Sequence, residues 1–236
     1  MSPHGRRFSG ERSAPRSYVP FALMMLYLVA VRLTIARNPD MFRSATQAAV
    51  FTWPMLGIVA VVGLAGTVMA RRSRRFPEMW DAQVPMAWRL WVPIVGGLLL
   101  GGVAILVDRA TNWTALAAEQ MHLPSIHIDP PASLLIYPGG AIIVSILYFL
   151  FFAPLLLWAF RGRGFWIIAL LTAAIEPVTQ DLNVAAGIGV VVSVFAADYV
   201  LNLSQVLLFR RAGFVPAVLL RVVFYAVWHM LWPAIS

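Results

Sequence analysis

The fold of this chain is decided by a stretch near its end, residues 214–233, which reads FVPAVLLRVVFYAVWHMLWP. A helix of about 20 apolar residues is long enough to cross the hydrocarbon core of a bilayer. Within it, Arg221, Tyr225 and His229 follow one another at intervals of four residues, so they share one helix face. Because an Arg and a His are costly to place in lipid, that face is expected to point into the interior of a helix bundle.

The composition of the whole chain is also typical of a membrane protein. Of its 236 residues, 61% are hydrophobic and only 12% are charged, about half the charged fraction of an average soluble domain. The chain has no cysteine, which excludes disulfides, thiol nucleophiles and cysteine-ligated metals. All 18 basic residues are arginines, and the net charge is +8. Since the arginines cluster at the ends of apolar segments, we interpret them as topology signals rather than as a nucleic-acid surface.

Seven apolar segments predict an all-α, polytopic membrane helix bundle of about seven transmembrane helices. Their approximate bounds are 18–36, 47–70, 90–107, 134–160, 165–180, 184–209 and 214–233. We expect a single transmembrane domain over 18–236, preceded by a basic, disordered cytoplasmic tail over 1–17. In the third segment, Gly97 and Gly101 form a Gly-x-x-x-Gly motif, which predicts a helix-packing face.

The arginine clusters indicate the orientation of the bundle. They lie in the tail, at 71–75, at 161–163 and at 210–211, which the predicted segments all place on one side. Arginine is enriched on the cytoplasmic side of membrane proteins. The pattern therefore predicts that the N-terminus is inside and the C-terminus outside, in the plasma membrane, which in a bacterium is the inner membrane.

Several polar residues fall inside the apolar segments, where they are expensive unless partnered. They are Glu176, Gln180, Asp198, Asn202, Gln205, Arg221, Tyr225 and His229. At about 1.5 Å per residue, Asp198 and Arg221 lie at similar depths on consecutive helices, so we predict that they form an ion pair. One interpretation is a catalytic or binding cluster. The other is a structural polar core made of Asp198, Asn202, Arg221, Tyr225 and His229.

Histidines in the segment between the third and fourth helices raise the question of a metal. His122 and His127 lie close to Asp129 in a proline-flanked loop, and such side chains are able to bind a metal. An ordinary loop is the simpler explanation, and His229 is explained as a partnered core histidine. The sequence therefore predicts no metal and no cofactor.

From about residue 86 to the end, the order of features resembles the CPBP family of intramembrane proteases, which comprises the CAAX proteases and bacteriocin-processing (Abi) proteins. The stretches that carry the resemblance are the Gly-rich third segment ending in Asp108-Arg109, LLIYPGG at 134–140, LLLW at 155–158, IALLTAAI at 168–175, LFRRAG at 208–213 and PAVLL at 216–220. The resemblance implies a helical membrane fold and a polar site inside the bilayer that cleaves peptide bonds.

The polar motifs of that family are replaced in this chain. The family's Glu-Glu-x-x-x-Arg falls on 143–148, IVSILY, and its Phe-x-x-x-His falls on 176–180, EPVTQ. The third motif's His or Asn falls on Arg221, and only His229 matches a histidine that some members carry. A second alignment sets Asp198 and Asn202 against the first motif and Tyr225 and His229 against the second, but it also lacks the glutamate pair. Without these carboxylates the general base of hydrolysis is missing, so we expect no catalytic residue.

The function predicted from these residues is a catalytically inactive CPBP-like scaffold or accessory subunit of a membrane protein complex. Its partners would be the lipid bilayer and other membrane proteins, contacted through lateral helix packing. One alternative is an active intramembrane hydrolase that uses Glu176, Asp198 and His229, with a divalent metal in that case only. Another alternative is a small transporter, or a haem- or pigment-binding subunit with His229 as axial ligand.

Overall fold

The computed structural model describes residues 18–43, 45–73, 75–120, 125–179 and 188–235, and within these ranges the chain is helical and has no strand. The predicted tail over 1–17 lies outside them. The helices, apart from two short 3-10 turns at Pro39–Phe42 and Thr46–Val50, are α1 (Val19–Arg37), α2 (Trp53–Ser73), α3 (Ala87–Thr111), α4 (Trp113–Gln120), α5 (Ser133–Ala159), α6 (Phe165–Thr179), α7 (Ile188–Ala212) and α8 (Phe214–Ile235).

The prediction of a polytopic helix bundle is confirmed. Among the described helices, six are long and apolar enough to cross a membrane, namely α1, α2, α3, α5, α7 and α8. Helix α6 corresponds to the fifth predicted segment, and its described part has 15 residues, or about 22 Å at 1.5 Å per residue, which is less than the roughly 30 Å hydrocarbon core. Helix α4 is a short helix within the segment predicted as an outer loop.

Helix α2 begins later than the sequence predicts. The second apolar segment was expected to begin near residue 47, but Thr46–Val50 forms a 3-10 turn and α2 begins at Trp53. Proline lacks a backbone N–H and fits the first turn of a helix, where no partner is needed. Pro54 therefore marks the start of the helix.

The arginine clusters meet at one end of the bundle. Cation–π contacts join Arg71 to Tyr18 (5.1 Å), Arg210 to Phe165 (3.8 Å) and Arg211 to Trp88 (4.9 Å). At the opposite end, the indole Nε1 of Trp232 donates a 2.9 Å hydrogen bond to Asp108. The beginning of α1 and the last turn of α8 therefore lie at opposite ends of the bundle, as the predicted orientation requires.

Glycines set the closest approaches between helices. The predicted packing face of α3 is confirmed, because a Cβ on Gly97 would lie 2.7 Å from the carbonyl oxygen of Leu220 on α8. A Cβ on Gly101 would lie 2.6 Å from Val227 of the same helix. On α2, Gly66 meets the backbone of Leu150 on α5 in the same way. These contacts bring α8 and α5, the most buried spans, against their neighbours.

Two of the long helices change to π-helix beside the polar interior. The segment Ser145–Phe151 interrupts α5 and Ala226–Leu231 interrupts α8. Such segments occur mostly as local bulges and are frequent at functional sites. They place Ser145 and His229 at the irregular parts of their helices, next to the buried polar side chains described below.

Candidate functional site

The site is built around Arg221 in the first half of α8. Helix α8 begins after Gly213 with a proline at its third residue, and apolar side chains fill the turns on both sides of Arg221. The predicted inward orientation is confirmed, because Arg221 is only 1% exposed. A guanidinium at this depth requires a counter-charge and partners for all of its N–H groups.

The counter-charge is Glu176 on α6. The NH2 group of Arg221 donates to Oε2 of Glu176 at 2.6 Å, and NH1 donates to Oε1 at 2.8 Å, with 1% and 8% of the two side chains exposed. The carboxylate that is hydrogen-bonded to Arg221 is therefore Glu176, where the sequence predicted Asp198. Asp198 lies close enough to add to the electrostatic attraction on Arg221, but the carboxylate in contact is that of Glu176.

The remaining donors of Arg221 are also occupied. Its Nε donates to Oε1 of Gln205 at 2.8 Å, and NH1 donates a second hydrogen bond to the hydroxyl of Tyr225 at 3.2 Å. NH2 donates to Oδ1 of Asn202. An arginine side chain has five N–H donors, and each of them has an acceptor here. Asn202 and Tyr225, which the sequence assigned to a structural polar core, both contact Arg221 here.

The two amide side chains on α7 connect the cluster to three other helices. Nε2 of Gln205 donates to the carbonyl of Ala217 on α8 at 2.9 Å and to Oγ of Ser145 on α5 at 3.1 Å. Nδ2 of Asn202 donates to the carbonyl of Ala173 on α6 at 3.1 Å. Both amides are fully buried. The cluster therefore joins α5, α6, α7 and α8 through polar contacts in the interior.

Two members of the cluster were missed by the sequence analysis. Gln205 was recognised as a polar residue in a span but was not placed in the core, and Ser145 was not recognised. A glutamine one turn beyond Asn202 was the available signal for Gln205, because residues three or four apart share a helix face. Ser145 had no comparable signal, since a single serine in an apolar helix is common and satisfies itself within the helix.

His229 belongs to a second cluster at the end of the bundle away from the arginines. Its Nδ1 lies 3.4 Å from Nδ1 of His127, which belongs to the segment after α4. The ring of Tyr137 stacks on His229 with centroids 4.4 Å apart, and the ring of Tyr225 packs edge-on at 5.1 Å. Tyr225 therefore touches both clusters, and the predicted shared face of Arg221, Tyr225 and His229 is confirmed.

Asp108, at the end of α3, organises the same end of the bundle. Its carboxylate accepts hydrogen bonds from the backbone N–H of Thr114 at 3.0 Å, from the Thr114 hydroxyl at 2.8 Å and from Trp232 at 2.9 Å. In the sequence, Asp108 was noted only as the end of the Gly-rich third segment. Burial lowers the pKa of His127, and the nearby charge of Asp108 opposes that shift. Nε2 of His127 is buried and has no hydrogen-bond partner within the described residues.

The described residues contain no group of three or more His, Asp or Glu side chains close enough to hold a metal ion. His127 and His229 offer two nitrogens but not a third ligand of these types. His122 lies outside the described residues, so the alternative of a metal in the loop of His122, His127 and Asp129 stays a prediction. Gln180 also lies outside the described residues. The arrangement around Arg221 is chemically a neutralised and fully hydrogen-bonded ion pair.

No family model, no curated protein and no solved structure matches this chain. The resemblance to the CPBP intramembrane proteases therefore stays a prediction. What the chain does must be inferred from the geometry of its own residues.

Proposed function

We propose that this protein is a catalytically inactive scaffold or accessory subunit in a bacterial inner membrane, related to the CPBP intramembrane proteases. The observation that carries this proposal is the contact between Arg221 and Glu176. Both oxygens of the carboxylate are bound by the guanidinium, and every donor of the guanidinium has an acceptor. A cluster arranged in this way stabilises a helix bundle and leaves no group poised for reaction.

Hydrolysis inside a membrane requires a base that is able to take a proton from water. Both oxygens of Glu176 already accept hydrogen bonds from Arg221, and a proton on this carboxylate would leave the buried charge of Arg221 uncompensated. At the position of the family's glutamate pair, Ile143 is buried and Val144 is partly buried, and neither side chain offers a lone pair. These features support the loss of protease chemistry.

The alternative hydrolase would require Glu176, Asp198 and His229 to act on one water molecule. In the structure the described contacts of Glu176 are with Arg221, whereas His229 contacts His127 and the ring of Tyr137. The two side chains belong to different clusters, separated by Tyr225. This separation weighs against a shared catalytic site.

The outward face of α3 offers a surface for lateral packing. Leu99 and Leu106 are each 66% exposed and are separated by seven residues, or two helical turns. Between them, Gly102 has no atom within 4 Å of the position of a Cβ. A glycine flanked by large apolar residues allows the backbone of another helix to approach closely. We propose this face, on Leu99, Gly102 and Leu106, as the contact with a partner helix.

Native mass spectrometry after gentle extraction from the native membrane tests the proposal. The expected result is a stoichiometric complex with another membrane protein and without a bound metal. A photo-crosslinking residue at Leu99 should then capture that same protein. The matched control is Val61 on α2, which is 71% exposed and should capture lipid only.

A different outcome of the same experiment would contradict the proposal. A chain that is extracted alone, carries one divalent metal and loses peptide-bond cleavage in the variant His229→Ala would overturn the proposal. It would establish the hydrolase alternative.

A further inference from the structure

A cleft of about 530 Å³ opens between the last turns of α2 and α5, at the arginine end of the bundle. One side is basic and is formed by Arg72, Arg75 and Arg161. The other side is apolar and includes Leu155 and Trp158 of α5. The cleft therefore combines three positive charges with a hydrocarbon wall. It lies away from both polar clusters described above and does not depend on the proposed function.

The charges in the cleft have no counter-charge among the described residues. No carboxylate lines the cleft, and none lies within ion-pair distance of Arg72, Arg75 or Arg161 in the part of the chain that the structure describes. A fourth arginine, Arg210, is near enough to Arg75 to be repelled by it. Bringing like charges together costs free energy that an anion between them would recover.

The turn at the end of α5 is shaped to hold one of these arginines. Gly162 has a φ of +75°, and Arg161 before it also has a positive φ, of 51°. A Cβ on Gly162 would lie 2.6 Å from Nε of Arg75, so the absence of a side chain at this position makes room for the guanidinium. The N–H of Gly162 donates to the carbonyl of Leu157 at 2.6 Å, which closes the helix end.

The level of the cleft in the bilayer selects the kind of anion. Arg72 stands in the last turn of α2, where an apolar span ends, and Trp158 is 72% exposed in the last turns of α5. Tryptophan at the end of a span is typical of the headgroup region, and basic pockets between helices on the cytoplasmic side bind lipid headgroups. A soluble anion would use the arginines but would leave the apolar wall without a partner.

We propose that this cleft binds an anionic phospholipid, with its phosphate between Arg72, Arg75 and Arg161 and an acyl chain against Leu155 and Trp158. The lipid supplies the negative charge that the three arginines lack and covers the exposed indole. Binding is noncovalent and joins the end of α2 to the end of α5.

Binding of defined lipids to the purified protein in a neutral detergent tests this site, with native mass spectrometry as the readout. Phosphatidylglycerol should bind at least tenfold more tightly than phosphatidylcholine with the same acyl chains. The variant Arg72→Gln/Arg161→Gln should weaken phosphatidylglycerol binding about twenty-fivefold, since each arginine near the headgroups contributes about fivefold. The matched control is Arg89→Gln/Arg211→Gln, which removes two charges that pack on Trp80 and Trp88 and should leave binding unchanged.

A second variant tests the geometry without changing the charge. Asparagine tolerates a positive φ, so Gly162→Asn should fold but displace Arg75 and weaken phosphatidylglycerol binding. Equal affinity for the two lipids, or equal weakening by the control variant, would overturn the proposal. Glycerol phosphate or inorganic phosphate that displaces the lipid at micromolar concentration would assign the cleft to a soluble phosphate compound instead.

Discussion

Arg221 on α8 and Glu176 on α6 form a bidentate ion pair in the interior of the bundle, with N–O distances of 2.6 and 2.8 Å. The two residues are 45 positions apart in sequence and are held by contacts with α7 as well. Because both charges are removed from water, the pair is worth little compared with apolar packing, but each member depends strongly on the other. Loss of one member should therefore cost much more stability than replacement of both members by apolar residues.

Removal of one member of the pair should destabilise the protein severely. Glu176→Gln or Arg221→Met leaves a buried charge without its partner, and such changes cost about 3–5 kcal/mol. The free energy of unfolding in bicelles, measured by titration with a denaturing detergent, checks this. If both single variants unfold like the wild-type protein, the pair does not form in the membrane.

The exposed pair of Arg43 with Asp40 is the matched control. Its N–O distance is 2.7 Å, but 83% and 86% of the two side chains are exposed. Water screens such a pair, so Asp40→Asn should leave the free energy of unfolding unchanged.

Replacement of Gln205 by an apolar residue should destabilise the protein. The change Gln205→Leu removes the acceptor for Nε of Arg221 and the donor for the carbonyl of Ala217. Buried groups left unsatisfied cost about 1–3 kcal/mol. The same unfolding titration checks this value. The neighbouring Ser204→Ala is the control and should be neutral, because among the described residues the Ser204 hydroxyl donates only to the carbonyl of Val200, one turn earlier in its own helix.

The contact of α3 with α8 should not tolerate side chains at its glycines. Gly101→Leu would force α3 away from Val227 and should cost about 1–3 kcal/mol or more. At Gly102, one residue further along, a Cβ would meet nothing within 4 Å, so Gly102→Leu should not change the stability of the isolated protein. Thermal unfolding of the two variants provides the comparison. Equal losses would show that α3 packs on α8 through a different face.

The stability of the protein should fall with acidity because of His127. Burial lowers the pKa of His127 in the folded protein, whereas in the unfolded chain it stays near 6.5. Above that value the histidine is neutral in both states and contributes no pH dependence. Below it, the unfolded chain takes up a proton and the folded protein does not, so stability is lost as the pH falls.

Unfolding at pH 7.5 and at pH 5 measures this effect, and His127→Asn should flatten the difference. The groups around His127 are His229, Trp228 and the carboxylate of Asp108. A pH dependence that is unchanged in His127→Asn would show that the titrating group is not His127.

The fold could be predicted from the sequence largely because membrane insertion depends on length and hydrophobicity, which are local properties. The arginine clusters at the ends of the spans are visible directly in the sequence. The packing face of Gly97 and Gly101 and the inward face of Arg221 follow from helix periodicity. The partner of Arg221 does not. Counting residues along a span gives the depth of a side chain in the membrane, but it does not decide whether Asp198 or Glu176 faces Arg221. The choice between them depends on the rotation of each helix, which is decided by packing against all of its neighbours.

The cluster of His127 and His229 could not be predicted from the sequence for a related reason. His127 and His229 are 102 residues apart, and their contact depends on how the segment after α4 folds over the end of α8. No periodic pattern connects a loop to a helix. The bounds of α6, in contrast, follow the predicted segment 165–180 over the whole of its described part, Phe165–Thr179.

The most direct test of the structural role of the Arg221 cluster is the double variant Glu176→Leu/Arg221→Met, studied for both stability and assembly. The prediction is that its free energy of unfolding lies within about 1–2 kcal/mol of the wild-type value, well above that of either single variant, and that it still assembles with the membrane partner proposed above. A double variant that is folded but has lost its partner, or that has lost a measurable cleavage activity, would contradict the account and give the ion pair a direct function.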